Sequence, residues 1–351
     1  MPIGSALAAV ALALALVSLA GGCLGPGNPA PGGPAHHRAR GFANLNPDYE
    51  RPGFWTRWAF FASRIWSSIV APRRANFPLV AADAATLRAN PGPPMVTWIG
   101  HATLLVQLEG VNILTDPQWS ERASPVGFAG PRRVTPPGMA LETLPTIHAV
   151  VISHDHYDHL DLATVTRLAA THRPQFLVPL GMKAWFTASG IDRVDELDWW
   201  ESRPVRGLTI TALPVQHWSQ RAPWDLNRRL WAGWAIVGQE RRAFFAGDTG
   251  YYSPIFHEIG ERLGPFDLAA VAIGAYEPPR IMKHTHTTPE ESLQIFADVR
   301  ARRFLAIHWG TFDLADEPLD EPPRRLRAEA ERLGLGDGTV WVLKHGETRR
   351  W

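Results

Sequence analysis

Ser153-His154-Asp155-His156-Tyr157-Asp158-His159 follows directly on the apolar segment His148 to Ile152. Three imidazoles and two carboxylates in so short a run are ligands that suit zinc and similar first-row ions. In an extended segment side chains alternate with period two, so His154 and His156 point to one side and can grip one ion together. Asp158 and His159 come at a spacing that fits a turn into a helix over Leu160 to Ala170, where they face a second ion. A chance polar loop would not explain why the run sits where a strand ends, the neighbourhood in which α/β folds build sites.

Three more candidate ligands each stand just past an apolar run. They are His217 after Ile210 to Gln216, Asp248 after Phe244 to Gly247, and His308 after Phe304 to Ile307. Strand ends that converge on one sheet edge would bring all of them together. His154, His156 and His217 then form one site and Asp158, His159 and His308 the other, with Asp248 able to bridge. A lone histidine at a strand end is more often structural; four such positions in one chain reverse that expectation.

Short apolar runs punctuated by turns begin at Met95 and read as strands: 96–99, 104–108, 111–114, 149–152, 176–178, 208–215, 231–237, 243–246, 268–273, 304–307 and 340–343. Helical patterns intervene at 160–170, 182–189, 289–299 and 324–333. Thr288 caps the third, with Pro289 in its first turn and Glu291 completing a capping box. The strand runs fall into two sets, each with helices, which predicts an α/β fold of two sheets covered by helices.

The motifs resemble those of the metallo-β-lactamase superfamily, in the branch that includes the zinc-dependent N-acylphosphatidylethanolamine-hydrolysing phospholipase D. The resemblance covers roughly residues 42 to 345. It rests on Val96-Thr-Trp-Ile-Gly-His-Ala-Thr103, Leu114-Thr-Asp-Pro117, Arg122-Ala-Ser-Pro125, Gly130-Pro131, Ser153 to Asp161, Gln216-His-Trp218, Trp231-Ala-Gly-Trp234, Gly247-Asp-Thr-Gly-Tyr251, Pro289-Glu-Glu291 and Ile307-His-Trp-Gly-Thr-Phe312. It implies a four-layer αβ/βα sandwich, two mixed β-sheets flanked by helices, with a dimetal site between the sheet edges. The ligand pairing it implies is the one argued above. His101 and Asp116 match branch positions and would hold ligands in place from behind. His286 matches a histidine beside the metals, where it would contact the substrate phosphate or protonate a leaving group; His284 precedes it. Tyr157, Trp218, Trp231 and Trp234 read as packing.

The chain has 351 residues, with 35 Lys and Arg against 34 Asp and Glu, so nothing global favours nucleic acid. Trp is abundant at 15, which suits either core or a membrane interface. An apolar run from Ala6 to Ala20 has the length of a secretory signal and ends in Gly21-Gly22-Cys23. This resembles a bacterial lipoprotein cleavage site, which would make Cys23 a lipidation site, with the protein exported and lipid-anchored in the cell envelope; the alternatives are an ordinary signal peptide and an uncleaved anchor. No Lys or Arg precedes the run, and Cys23 is the sole cysteine, so no internal disulfide forms.

Domains are expected at 1–23 for the signal, 24–50 for a Gly/Pro-rich tether, 51–90 for a basic aromatic segment and 91–351 for the catalytic fold. Within Arg51 to Arg74, at about 100° per residue, Trp55, Trp58, Ile65, Trp66 and Ile69 share one arc while Arg57, Arg64 and Ser68 lie opposite. Such a helix could lie in a membrane interface, its arginines reaching anionic head groups, or simply pack on the catalytic domain.

Two divalent ions, zinc before manganese or iron, would acidify a bridging water and stabilise charge on attacking and leaving oxygens. The favoured expectation is hydrolysis of a phospholipid phosphodiester by a metal-bridging hydroxide, with Asp158, Asp248 and His286 in the catalytic centre. The alternatives are hydrolysis of a small polar molecule such as a phosphorylated sugar lactone, and a non-catalytic metal-binding lipoprotein. The last is disfavoured because no ligand position is lost.

Overall fold

A computed structural model describes residues 32–90 and 92–351. The signal segment and Cys23 lie outside the described residues. In chain order the strands are β1 (His37–Arg38), β2 (Gly41–Phe42), β3 (Met95–Gly100), β4 (Thr103–Leu108), β5 (Val111–Thr115), β6 (Ala149–Val151), β7 (Gln175–Pro179), β8 (Val194–Leu197), β9 (Ser202–Val205), β10 (Leu208–Leu213), β11 (Gly233–Val237), β12 (Arg242–Phe245), β13 (Leu268–Ala272), β14 (Phe304–Ile307), β15 (Val340–Trp341) and β16 (Thr348–Arg350). The helices are α1 (Phe54–Val70), α2 (Ala84–Ala89), α3 (Leu162–Thr171), α4 (Lys183–Ala188), α5 (Ser253–Arg262), α6 (Pro279–Met282), α7 (Pro289–Asp298) and α8 (Glu321–Arg332).

Two seven-stranded mixed sheets result, ordered β16-β3-β4-β5-β6-β7-β8 and β15-β14-β13-β12-β11-β10-β9. Alternation along β6 shows how they stack. Ala149 and Val151 join the core shared with Trp98, Trp231, Trp234 and Phe245, while Val150 joins Val165 and Leu168 of α3 on the other face. Leu293 and Phe296 of α7 and Leu326 of α8 extend the shared core over the second sheet. Helices outside, sheets inside, is the four-layer αβ/βα sandwich. Every anticipated apolar run carries a strand, and the Thr288–Glu291 capping box forms as expected.

β9 and β16 escape sequence reading because they are short and largely polar, while α5 buries only a narrow stripe at Ile255, Phe256, Ile259 and Gly260. Trp231 and Trp234 are packing residues. Their indole N–H groups donate to the carbonyls of Val215 and Ile152, and the second bond ties one sheet to the other.

Residues 36–46, anticipated as tether, are bonded into the catalytic fold. His36 and His37 each bond Asp198 just beyond β8, at 2.6 and 2.8 Å. Asn44 makes a two-point bond with the backbone of His217, donating to its carbonyl at 2.8 Å and accepting from its N–H at 3.0 Å.

Helix α1 packs with its arginine side inward. Arg64 pairs with Asp313, as does Arg73 beyond the helix end, so Arg64 does not face anionic head groups as anticipated. Phe60 is buried, whereas Trp55, Trp66, Ile69 and Val70 are exposed, with Trp55 at 72%. Trp58 and Ile65, placed on the same arc from sequence, are partly covered.

Candidate metal centre

Strand ends of both sheets meet at one seam. His154, His156, Asp158 and His159 follow β6 in the first sheet, while His217, Asp248 and His308 follow β10, β12 and β14 in the second. Gly247 makes the closure possible. It holds φ at +60°, and a Cβ there would stand 2.5 Å from Cβ of Ser153, so only glycine lets the Asp248 turn lie against the histidine run. His101, Asp116 and His308 also have positive φ, at 54°, 35° and 61°. Strained conformations of this kind persist where the surroundings over-determine them, as at functional sites.

Potential ligand atoms of His154, His156 and His217 form one group; those of Asp158, His159 and His308 form a second, with His101 alongside. Nε2 of His154 lies 2.8 Å from Nδ1 of His156, and Nε2 of His217 lies 3.3 Å from the same atom. Asp248 stands between the groups. Its carboxylate is 3.1 Å from His159 Nε2, 3.2 Å from His308 Nε2, and 3.9 Å from Nε2 of both His154 and His217.

The outer hydrogen bonds test whether this set fits metal. Nδ1 of His217 donates to the Thr285 carbonyl at 2.8 Å; a carbonyl only accepts, so Nε2 is left as a bare lone pair facing the cluster. Nδ1 of His159 likewise donates to Asp116 at 2.7 Å, and Nδ1 of His154 bonds the Ser153 hydroxyl at 2.9 Å. These are the outer contacts that orient metal-binding imidazoles. His159 Nε2, His308 Nε2 and Asp248 Oδ1 are buried without a hydrogen-bond partner. Converging lone pairs and two carboxylates fit a pair of cations.

The electrostatics agree. Burial pushes His154 well below its ordinary pKa, and His156 and His217 down to about 3. Burial also opposes charge on His159 and His308, but nearby Asp248 and Asp158 outweigh it, raising His159 well above its usual range and His308 to about 9. Asp158 and Asp248 resist the upward push of burial and are held well below the usual carboxylate range, chiefly by His159. The cluster therefore demands positive charge at its centre.

Remaining candidates sort by position. His101 Nε2 donates to Asp158 at 2.9 Å, and Asp116 binds His159 and Ser153 together, so both stand behind ligand positions. His286 faces the cluster, 3.8 Å from Asp248, whereas His284 turns to the ring of Tyr49. Burial drives His286 down to about 3 against the opposing charge of Asp248. Asp155, inside the motif, points away and pairs with Arg229 at 2.8 Å. Tyr157 donates to the Arg221 carbonyl. The open side of the cluster is marked by partial exposure of His156, Tyr157, Asp158, Trp218 and His286. Asn44 was not anticipated, and nothing in its Gly/Pro/Ala-rich surroundings singles it out.

Residues 111–309 match the family model described as a β-lactamase superfamily domain. The N-acyl-phosphatidylethanolamine-hydrolyzing phospholipase D 1 of Caenorhabditis elegans is 49% identical over 264 residues, covering 72% of this chain and 74% of that protein. The mitochondrial enzyme of that name from Saccharomyces cerevisiae is 37% identical, covering 70% of this chain and 53% of its own. Among solved structures, a metallo-hydrolase of Ignicoccus hospitalis superposes with TM-score 0.57 at 22% identity, over 74% of this chain and 98% of that one.

Proposed function

The chain belongs to the β-lactamase superfamily of metal-dependent hydrolases, and from that premise we propose that it cleaves the phosphodiester of N-acylphosphatidylethanolamine-like phospholipids, in the manner of a phospholipase D. The observation that carries the reading is 49% identity to an enzyme of that name in a chain whose seven ligand positions are all present and gathered at one seam.

His154, His156 and His217 would hold one ion, Asp158, His159 and His308 the other, and Asp248 would lie between them. Two zinc ions there would supply Lewis-acid charge for the phosphoryl oxygens and an acidified water as nucleophile. His101 and Asp116 fix the orientation of Asp158 and His159. His286, kept neutral by burial, presents an N–H donor to a phosphoryl oxygen in preference to acting as a strong acid. Water is added across the bond between phosphorus and the head-group oxygen, leaving phosphatidate and the head-group alcohol.

The exposed face of α1 supports action at a membrane. Trp55, Trp66, Ile69 and Val70, 72%, 53%, 47% and 59% exposed, still have apolar surface to bury, which favours adsorption by about 25 cal/mol per Å² removed from water. With Cys23 lipidated, the protein would be exported and held at the envelope, the exposed face of α1 turned to the lipid and 91–351 forming the catalytic fold.

Metal content by mass spectrometry, run beside a panel of phosphodiesters, lactones and β-lactams, tests the proposal. Close to two ions per chain and turnover of N-acylphosphatidylethanolamine are expected. A folded, zinc-loaded preparation that holds one ion, or that opens a lactone and no phospholipid, overturns it.

A further inference from the structure

Two arginines at the head of α1 have no acidic partner among the described residues. Arg51 is partly buried, and the titratable groups beside it are Arg57 and the phenol of Tyr49. Burial, then the charge of Arg57, pulls its pKa down to about 10, and burial holds the Tyr49 hydroxyl neutral by raising it to about 12. Arg64 and Arg73 differ in sharing Asp313. The Arg51 guanidinium lies over Trp218, 5.4 Å from the ring centroid, and Trp218 packs on His156 with centroids 4.3 Å apart. Phe61 flanks the same indole at 6.5 Å. Arg51 thus stands one indole away from the candidate metal ligands, on the open side of the cluster.

A half-buried cation beside a second cation, with no carboxylate in reach, is unfavourable until an anion arrives. The planar guanidinium fork matches carboxylate and phosphate oxygens. We infer that Arg51, reinforced by Arg57, forms an oxyanion subsite beside the metal pocket that takes a carboxylate or phosphate on the head-group side of the substrate. The chain then favours phosphodiesters whose head group carries a further negative charge. This rests on the phosphodiesterase reading and adds a substrate class to it. The scissile phosphate belongs at the metal cluster; Arg51, set off by the width of Trp218, reads the group beyond it.

The test measures binding as well as turnover. Zinc-loaded full-length protein is titrated calorimetrically with N-acetylated glycerophosphoserine and N-acetylated glycerophosphoethanolamine, the same diester with and without a carboxylate. Wild type is expected to prefer the carboxylate-bearing diester by about tenfold, the scale of one charge-assisted hydrogen bond. Arg51→Gln abolishes the preference and Arg51→Lys keeps part of it, both with wild-type metal content. Equal wild-type affinities, or a preference that survives in Arg51→Gln, overturn the subsite. A variant that binds anionic vesicles less well but discriminates as before also overturns it, because the arginine then serves the bilayer. Absence of phosphodiester turnover would count against the proposed function alone, since the binding comparison still decides the subsite.

Discussion

Replacing Asp116 by asparagine asks whether hydrogen bonds behind the ligands decide which atoms face the metals. The buried carboxylate accepts from the Ser153 N–H at 2.6 Å, the Ser153 hydroxyl at 2.5 Å and His159 Nδ1 at 2.7 Å. Asparagine keeps the shape but turns one oxygen into an NH2 donor. If its oxygen stays with the Ser153 N–H, the NH2 group meets Nδ1–H of His159, donor against donor. The imidazole can relieve this only by moving its proton to Nε2, where it blocks the metal. Leaving a buried donor unpaired costs about 1–3 kcal/mol, and loss of outer partners typically weakens metal binding about 10–100-fold. Because about 1.4 kcal/mol is tenfold in affinity, the two ranges describe the same loss. Asp116→Asn should therefore give up one of its two ions at about 10–100-fold lower chelator concentration, with unchanged circular dichroism. A folded variant that retains both ions within twofold of wild-type affinity would refute the tautomer argument.

Asp248→Ala should reduce metal content and abolish hydrolysis of every substrate, because its carboxylate faces both groups of ligands; full activity would show that the bridge is misplaced. Changing Trp55, Trp66 and Ile69 together to Ser should weaken vesicle binding and slow cleavage of vesicle-borne diester while sparing a short soluble one, and equal loss on both would assign the helix to packing. Arg64→Ala should lower the unfolding free energy by about 1 kcal/mol through loss of one of the two arginine partners of Asp313, which keeps Arg73, leaving vesicle affinity as it was; a selective loss of vesicle binding would contradict the inward orientation. Cys23→Ser should release the protein from the membrane fraction or leave an unprocessed precursor, and unchanged size with unchanged attachment would speak against lipidation.

The seam was legible because each candidate ligand announces itself locally. His154, His217, Asp248 and His308 all stand just past an apolar run, and the end of a strand is a place that pattern alone can mark. Orientation of α1 was not legible for the converse reason. Periodicity separates Arg64 from Trp66 but cannot say which side turns inward, since that depends on Asp313, 249 residues away. Asn44 is invisible in the same way: its partner is the backbone of His217, and backbone is present whatever the residue. β9 and β16 lack apolar runs because exposed edge strands need none. Arg51 could be seen as charge, but its isolation from carboxylates is a fact of three dimensions.

The segment from His36 to Asn44 also bears on time as distinct from equilibrium. It grips Asp198, beyond the last strand of one sheet, and the backbone of His217 in the other. It is therefore a hasp between the two sheets, fastened at the backbone of one candidate ligand. The hold of His217 on an ion should then weaken whenever the hasp lifts. A single proteolytic nick between Phe42 and Asn44 would leave all seven ligand side chains in place yet shorten the residence time of the ions.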